Sequence, residues 1–189
     1  MTGRVDGSQG PKTWRLEAPD EGATLGIAAA QAAWLAPGDF VALTGDLGAG
    51  KTTFARGLIR ALAEEPALEA PSPTFTLMQV YDAPRGPVVH ADFYRLRGAQ
   101  ELDNIGWDEA IIDAIAIVEW PERIPDALPS DRLEVDIRFD LKLGPDFRLL
   151  TLRGLGAIGP RLALALGVSA LLKQVGWTEA KREFLQGDA

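Results

Sequence analysis

The sequence predicts an α/β fold in which a mixed sheet with antiparallel additions is flanked by helices. Three observations predict it. The short apolar runs Phe40–Thr44 and Ala114–Glu119 have the length and composition of strands buried on both faces. Stretches with helical character, Glu21 to Trp34 and Lys51 to Leu62, sit beside the first of these runs. Two pairs of β-rich segments, each split by a Gly/Pro connection, add hairpins at 75–94 and 133–152.

Taken in order, residues 1–12 are polar and glycine-rich and read as a flexible tail. Trp14–Leu16 forms a short strand. Asp20 is a good N-cap for the alanine-rich helix that runs to Trp34, and Pro37-Gly38 breaks the chain after it. The strand at 40–44 leads through a loop, Gly45 to Gly50, into a helix with Phe54, Leu58 and Leu62 on one face. Phe75–Tyr81 and Val88–Tyr94 pair across Pro84-Arg85-Gly86-Pro87. Glu101–Asp113 is helical in pieces, and the strand at 114–119 is stopped by Pro121. Leu133–Phe139 and Phe147–Leu152 alternate apolar and polar residues around Gly144-Pro145. Gly154, Gly156 and Gly159-Pro160 read as a linker, followed by helices at 161–175 and 178–185. There is no internal repeat. The expected organisation is therefore a tail (1–12), one α/β domain (13–154) and a helical C-terminal extension (155–189).

Composition narrows the function. The 189 residues are 47% hydrophobic, enough for a packed core. No apolar run approaches the roughly 20 residues of a membrane span, and no charged start leads into a signal-peptide-like stretch. With no cysteine, disulfides and thiolate metal sites are excluded, which fits a reducing, cytoplasmic setting. The net charge is −8 and no Lys/Arg-rich run is present. Strong direct binding to nucleic acid is not expected, so any role in an RNA pathway runs through protein partners.

Gly45-Asp46-Leu47-Gly48-Ala49-Gly50-Lys51-Thr52 matches G-x-x-x-x-G-K-[ST] without departure, with a strand before it and a helix after it. The glycines let successive backbone N–H groups curl toward an anion. The helix beginning at Lys51 points the positive end of its dipole at the same place. Lys51 is placed to reach the β- and γ-phosphates and the Thr52 hydroxyl to ligate Mg²⁺, with Thr53 near the α-phosphate. This is the phosphate loop of a P-loop nucleoside triphosphate hydrolase fold. No guanine-reading N-K-x-D phrase is present, which favours ATP.

Such a loop works with an acid opposite it, and two acids follow apolar strands: Asp92 after Val88–Ala91, and Glu119 after Ile115–Val118. Either also reads as a solvated acid at a strand end. His90, the single histidine, reads as a packed and satisfied side chain rather than a catalytic one. Trp120 either stacks on a base and covers the site or belongs to the core. Ser72-Pro73-Thr74-Phe75 is either a switch-like loop sensing the γ-phosphate or a proline turn entering a strand.

Together these phrases resemble the TsaE family, formerly YjeE, of bacterial tRNA threonylcarbamoyladenosine biosynthesis proteins. The resemblance rests on Pro19–Thr24, the loop at 45–57, Ser72–Leu77, HADFYRL at 90–96, Glu101-Leu102 with Gly106, and Val118–Arg123, and covers about 13–153. It implies a compact P-loop fold that binds ATP and ADP with Mg²⁺ and hydrolyses ATP slowly. It implies support for TsaB and TsaD, which transfer a threonylcarbamoyl group to adenosine 37 of tRNA. It also implies that Glu119 is the Mg²⁺-associated glutamate, that Asp92 is functional, that Glu21 lies close to the nucleotide, and that Trp120 and Ser72–Thr74 belong to functional segments. Which acid assists water and which holds metal stays open. The end of the chain, Gly176–Ala180 with Phe184–Ala189, resembles the opening of an aminoglycoside-phosphotransferase-like kinase domain. The extension is then either the remnant of a fused second domain or a helical tail packed on the first. Two other functions share the phosphate loop: a small-molecule kinase, which needs an arginine-rich lid, and a nucleotide-dependent binding module.

Overall fold

The computed structural model describes residues 13–174. The tail expected at 1–12, the helix expected at 178–185 and the kinase-like phrase at 176–189 lie outside the described residues. Seven strands form one sheet: β1 (Thr13–Ala18), β2 (Phe40–Thr44), β3 (Met78–Tyr81), β4 (Val88–Asp92), β5 (Ile115–Glu119), β6 (Arg132–Phe139) and β7 (Arg148–Leu155). Their order is β1-β7-β6-β2-β5-β4-β3. The central four, β6, β2, β5 and β4, run parallel, while β3 on one side and β7 and β1 on the other are antiparallel. This is the mixed sheet with antiparallel additions that the apolar runs and hairpin signals predict.

Burial explains which strands are central. Every residue of β4 and β5 is buried, and so are the first four of β2. From Arg132 to Ile137, strand β6 alternates between half-buried and buried positions, the pattern of a strand covered on one face. Helices α1 (Glu21–Ala32), α2 (Lys51–Ala63) and α4 (Ile158–Gln174) cover one face of the sheet. The short helix α3 (Trp107–Ala110) and flanking 3₁₀ turns cover the other around Phe93 and Trp107, whose rings meet edge to face at 5.1 Å. Asp20 caps α1 as expected, accepting a 2.7 Å bond from the Ala23 N–H.

Two sequence expectations are corrected. Residues 75–77 are not strand: the Leu77 N–H closes a turn onto the Pro73 carbonyl, Leu77 takes a left-handed φ of 64°, and β3 starts only at Met78. The glycines at 154 and 159 are not a linker. Gly154 is inside β7, and Gly159-Pro160 sits in the first turn of α4, where proline fits because its missing N–H has no helical partner there. A side chain on Gly154 would meet the Gly159 Cα at 2.7 Å, so these glycines permit close contact between strand and helix. Ile158 and Leu162 enter the main core, and Arg161 makes a two-pronged pair with Asp39 at 2.6 and 2.7 Å. None of the helices among the described residues is long and apolar enough to cross a membrane.

Candidate functional site

The phosphate loop joins the C-terminal end of β2 to the N-terminus of α2. Gly45 takes φ 137°, and a Cβ there would lie 2.3 Å from the Ile137 carbonyl oxygen, so no other residue fits. Gly50, at φ 109°, precedes the helix and offers no side chain to cap it, so the first N–H groups of α2 face the loop. That arrangement suits an anion.

Lys51 is almost fully buried, 4% exposed, and its ammonium donates to the Gly45 and Asp46 carbonyls at 2.7 and 2.9 Å. Its Nζ lies 3.8 Å from the centre of the Trp120 ring. Trp120 is therefore a lid over the lysine; it adopts a left-handed φ of 58° at the exit of β5 and its ring packs against Tyr94. Burial pushes the Lys51 pKa below its usual 10.5, against the opposing pull of Glu119, Glu122, Asp92 and Asp46. The sign follows. The burial cost on the cation acts in full below the lowered pKa and disappears as pH rises past 10.5. Phosphate oxygens favour the cation, so nucleotide affinity should fall as pH rises through the lowered pKa of the free protein. Calorimetric titration of ADP across the alkaline range checks this; Lys51→Arg, which stays charged, should flatten the profile.

The two strand-end acids are register partners on the neighbouring parallel strands β4 and β5. Both are 2% exposed, yet they are engaged differently. Asp92 accepts from Ser72 Oγ (2.9 Å), from Thr74 Oγ1 and, through its other oxygen, from the Tyr94 N–H (2.9 Å). It pins the 72–74 loop beside the site, so that segment, which reads equally as a plain turn, is tied to a strand-end acid. Glu119 instead spans the site: Oε2 accepts from Thr52 Oγ1 at 3.0 Å, and Oε1 lies 3.0 Å from His90 Nε2.

Among the described residues no cluster of three or more His, Asp or Glu could hold a metal by itself. Mg²⁺ does not need one. It is commonly held by one or two protein oxygens together with substrate phosphates and water. The hard oxygens of Thr52 and Glu119, adjacent at the mouth of the phosphate loop, fit that chemistry.

On the other side of the loop a polar cavity of about 180 Å³ is bounded by Glu21, Thr24, Thr53, Asp146 and Arg148. Glu21 is exposed there, 3.5 Å from Arg56. Leu47, 77% exposed, stands at the crest of the loop, and Gly48 and Ala49 form its rim toward this cavity. The structure thus brings 45–53, 72–74, Asp92, Glu119 and Trp120 around one end of the sheet, with Glu21 at its flank.

His90, expected to be packed and satisfied, is packed but only half satisfied: it contacts Glu119 through Nε2, and its buried Nδ1 has no hydrogen-bond partner. Arg148 donates from Nε to the Ala49 carbonyl at 2.9 Å and stacks on Phe139, bracing the loop from the far hairpin. Strand polarity could have flagged His90, because residues two apart share a face. Nothing local points from Arg148 to a loop 99 positions away.

A family model described as "Threonylcarbamoyl adenosine biosynthesis protein TsaE" matches residues 18–143. The chain is 38% identical over 144 residues to the Bacillus subtilis tRNA threonylcarbamoyladenosine biosynthesis protein TsaE, covering 76% of this chain and 85% of that protein. It is 39% identical over 115 residues to the protein of that name from Rickettsia bellii, covering 61% and 79%. The Streptomyces coelicolor protein is 40% identical over 130 residues, covering 65% and 84%. A crystal structure of Bacillus subtilis YdiB superposes with a TM-score of 0.68 at 30% identity, covering 86% of this chain and 99% of that one.

Proposed function

The chain belongs to the TsaE family of threonylcarbamoyl adenosine biosynthesis proteins, and from that premise we propose that it is the Mg²⁺-dependent ATPase that supports TsaB and TsaD in the cytoplasm. Its role is in the formation of threonylcarbamoyladenosine in tRNA, as the names of its relatives state. In this reading the 45–53 loop holds ATP or ADP and Lys51 neutralises the outer phosphates. Thr52 and Glu119 hold Mg²⁺, which when bound supplies charge stabilisation to the phosphoryl group being lost. Glu119 is the metal-side acid because it already shares a hydrogen bond with Thr52. Asp92 acts at the γ-phosphate side through the loop it pins, so that Ser72 and Thr74 register the state of the nucleotide. Trp120 keeps water from Lys51, and Glu21 borders the nucleotide's flank.

The observation that carries the proposal is the 3.0 Å Thr52–Glu119 contact at the mouth of an unbroken phosphate loop. A kinase reading has less support. Arg85 is spent on the carbonyls at the end of α1, while Arg95 and Arg123 lie on the rings of Phe75 and Tyr94. Engaged in these separate contacts, the three arginines do not form an arginine-rich lid.

The test is ATP hydrolysis with Mg²⁺, with and without purified TsaB and TsaD. Stimulation by the partners supports the proposal. Tight ATP binding without partner association or stimulation would replace it with a stand-alone binding module.

A further inference from the structure

The single histidine is placed where an apolar residue would serve the fold better. His90 is fully buried at the centre of β4, the outermost of the four parallel strands, with Val89 and Ala91 beside it in sequence. Its register partner on β5 is Ile117, so Glu119, two residues on, is its diagonal neighbour on the same face. Nε2 meets Glu119 Oε1 at 3.0 Å, whereas Nδ1 is buried with no hydrogen-bond partner. Leaving a buried ring nitrogen unpaired lowers stability. The ring's contribution is therefore the bond to Glu119.

A carboxylate accepts, so Nε2 carries the hydrogen and donates. That bond occupies Oε1 and stops the carboxylate from rotating, which leaves Oε2 aimed at Thr52. We infer that His90 is a positioning residue for nucleotide-dependent Mg²⁺ binding: it fixes Glu119 so that the single oxygen Oε2, next to the Thr52 hydroxyl, is presented to the cation. This rests on the reading of Glu119 as the metal-side acid. Partners that orient a metal ligand in this way typically govern affinity by roughly 10- to 100-fold.

The experiment compares ADP affinity in Mg²⁺ with ADP affinity in EDTA, by calorimetry on the full chain. The ratio of the two measures how much the bound nucleotide prefers to carry the cation, independently of turnover. In His90→Leu and His90→Asn the ratio should fall about tenfold, since leucine offers no donor and asparagine is too short to place one at the Nε2 position. In His90→Gln, whose amide nitrogen reaches that position, it should stay within about threefold of the parent. Urea unfolding of each variant accompanies the titrations. If His90→Leu does not fold, His90→Asn takes its place. A parental ratio in both the Leu and Asn variants overturns the inference. So does an equal loss in all three that tracks lost stability, because the histidine would then be structural. Glu119→Gln separates this from the underlying reading. If that variant keeps the parental ratio, the metal role of Glu119 falls first; if it loses the ratio while the His90 variants keep theirs, only the positioning role falls.

Discussion

Lys51→Ala should bind ATP and ADP at least ~100-fold more weakly than the parent protein. The side chain is placed to make charge-assisted bonds to two phosphates, each worth about 1.5–3 kcal/mol. Even at the low end the sum is about 3 kcal/mol, which is roughly 100-fold in Kd. Stability should change much less than binding. Removing the ammonium relieves the burial cost that lowers its pKa, but it leaves Glu119 and Asp92 without a nearby cation and the Gly45 and Asp46 carbonyls without their donor. These effects oppose one another in the free protein, whereas in the complex every effect of the deletion weakens binding. Calorimetric titration with ADP, beside thermal unfolding of the same samples, checks both halves. Unchanged affinity would remove the phosphate-loop assignment.

Glu119→Gln should leave the fold intact and lower Mg²⁺-dependent hydrolysis on the order of 100-fold or more. Glutamine keeps the shape and can still meet Thr52 and His90, so the packing around this 2% exposed side chain is preserved. What is lost is the negative oxygen that would face Mg²⁺ in the proposed site, and metal-borne charge stabilisation is worth several kcal/mol at a reacting phosphoryl group, or about 100-fold and upward in rate. Asp92→Asn offers the contrast. Asp92 is engaged by Ser72, Thr74 and the Tyr94 N–H, so its loss acts through the 72–74 loop. Steady-state ATPase assays over a range of Mg²⁺ separate the two, because added Mg²⁺ should partly restore the Glu119 variant and leave the Asp92 variant as it was. Full activity in Glu119→Gln would show that it is not the metal-side acid.

The parts of the fold visible in the sequence are those fixed by short-range chemistry. The phosphate loop is one contiguous segment, and the buried strands are short apolar runs whose ends carry their acids. The contacts those acids make are not legible, because they depend on which strands are neighbours. Only the parallel pairing of β4 with β5, and of β5 with β2, sets Glu119 against Thr52 and His90 while Asp92 turns to Ser72 and Thr74. Phe75–Leu77 has the composition of a strand, but the hydroxyls just before it are held by Asp92 and the backbone turns back on Pro73, so tertiary contacts override local preference. Gly154 and Gly159 carry the composition of a linker, yet here glycine permits close packing of α4 on β7. Composition alone does not distinguish those two uses.

The most direct test of the account is the amount of threonylcarbamoyladenosine formed on tRNA per TsaD molecule in a reaction reconstituted with TsaB and TsaD. With the parent protein and Mg·ATP, product should exceed one equivalent per TsaD and keep accumulating, and with Lys51→Ala it should stop near the level reached without this chain. Equal, continuing accumulation with Lys51→Ala would contradict the claim that nucleotide held in the 45–53 loop drives this protein's contribution to tRNA modification.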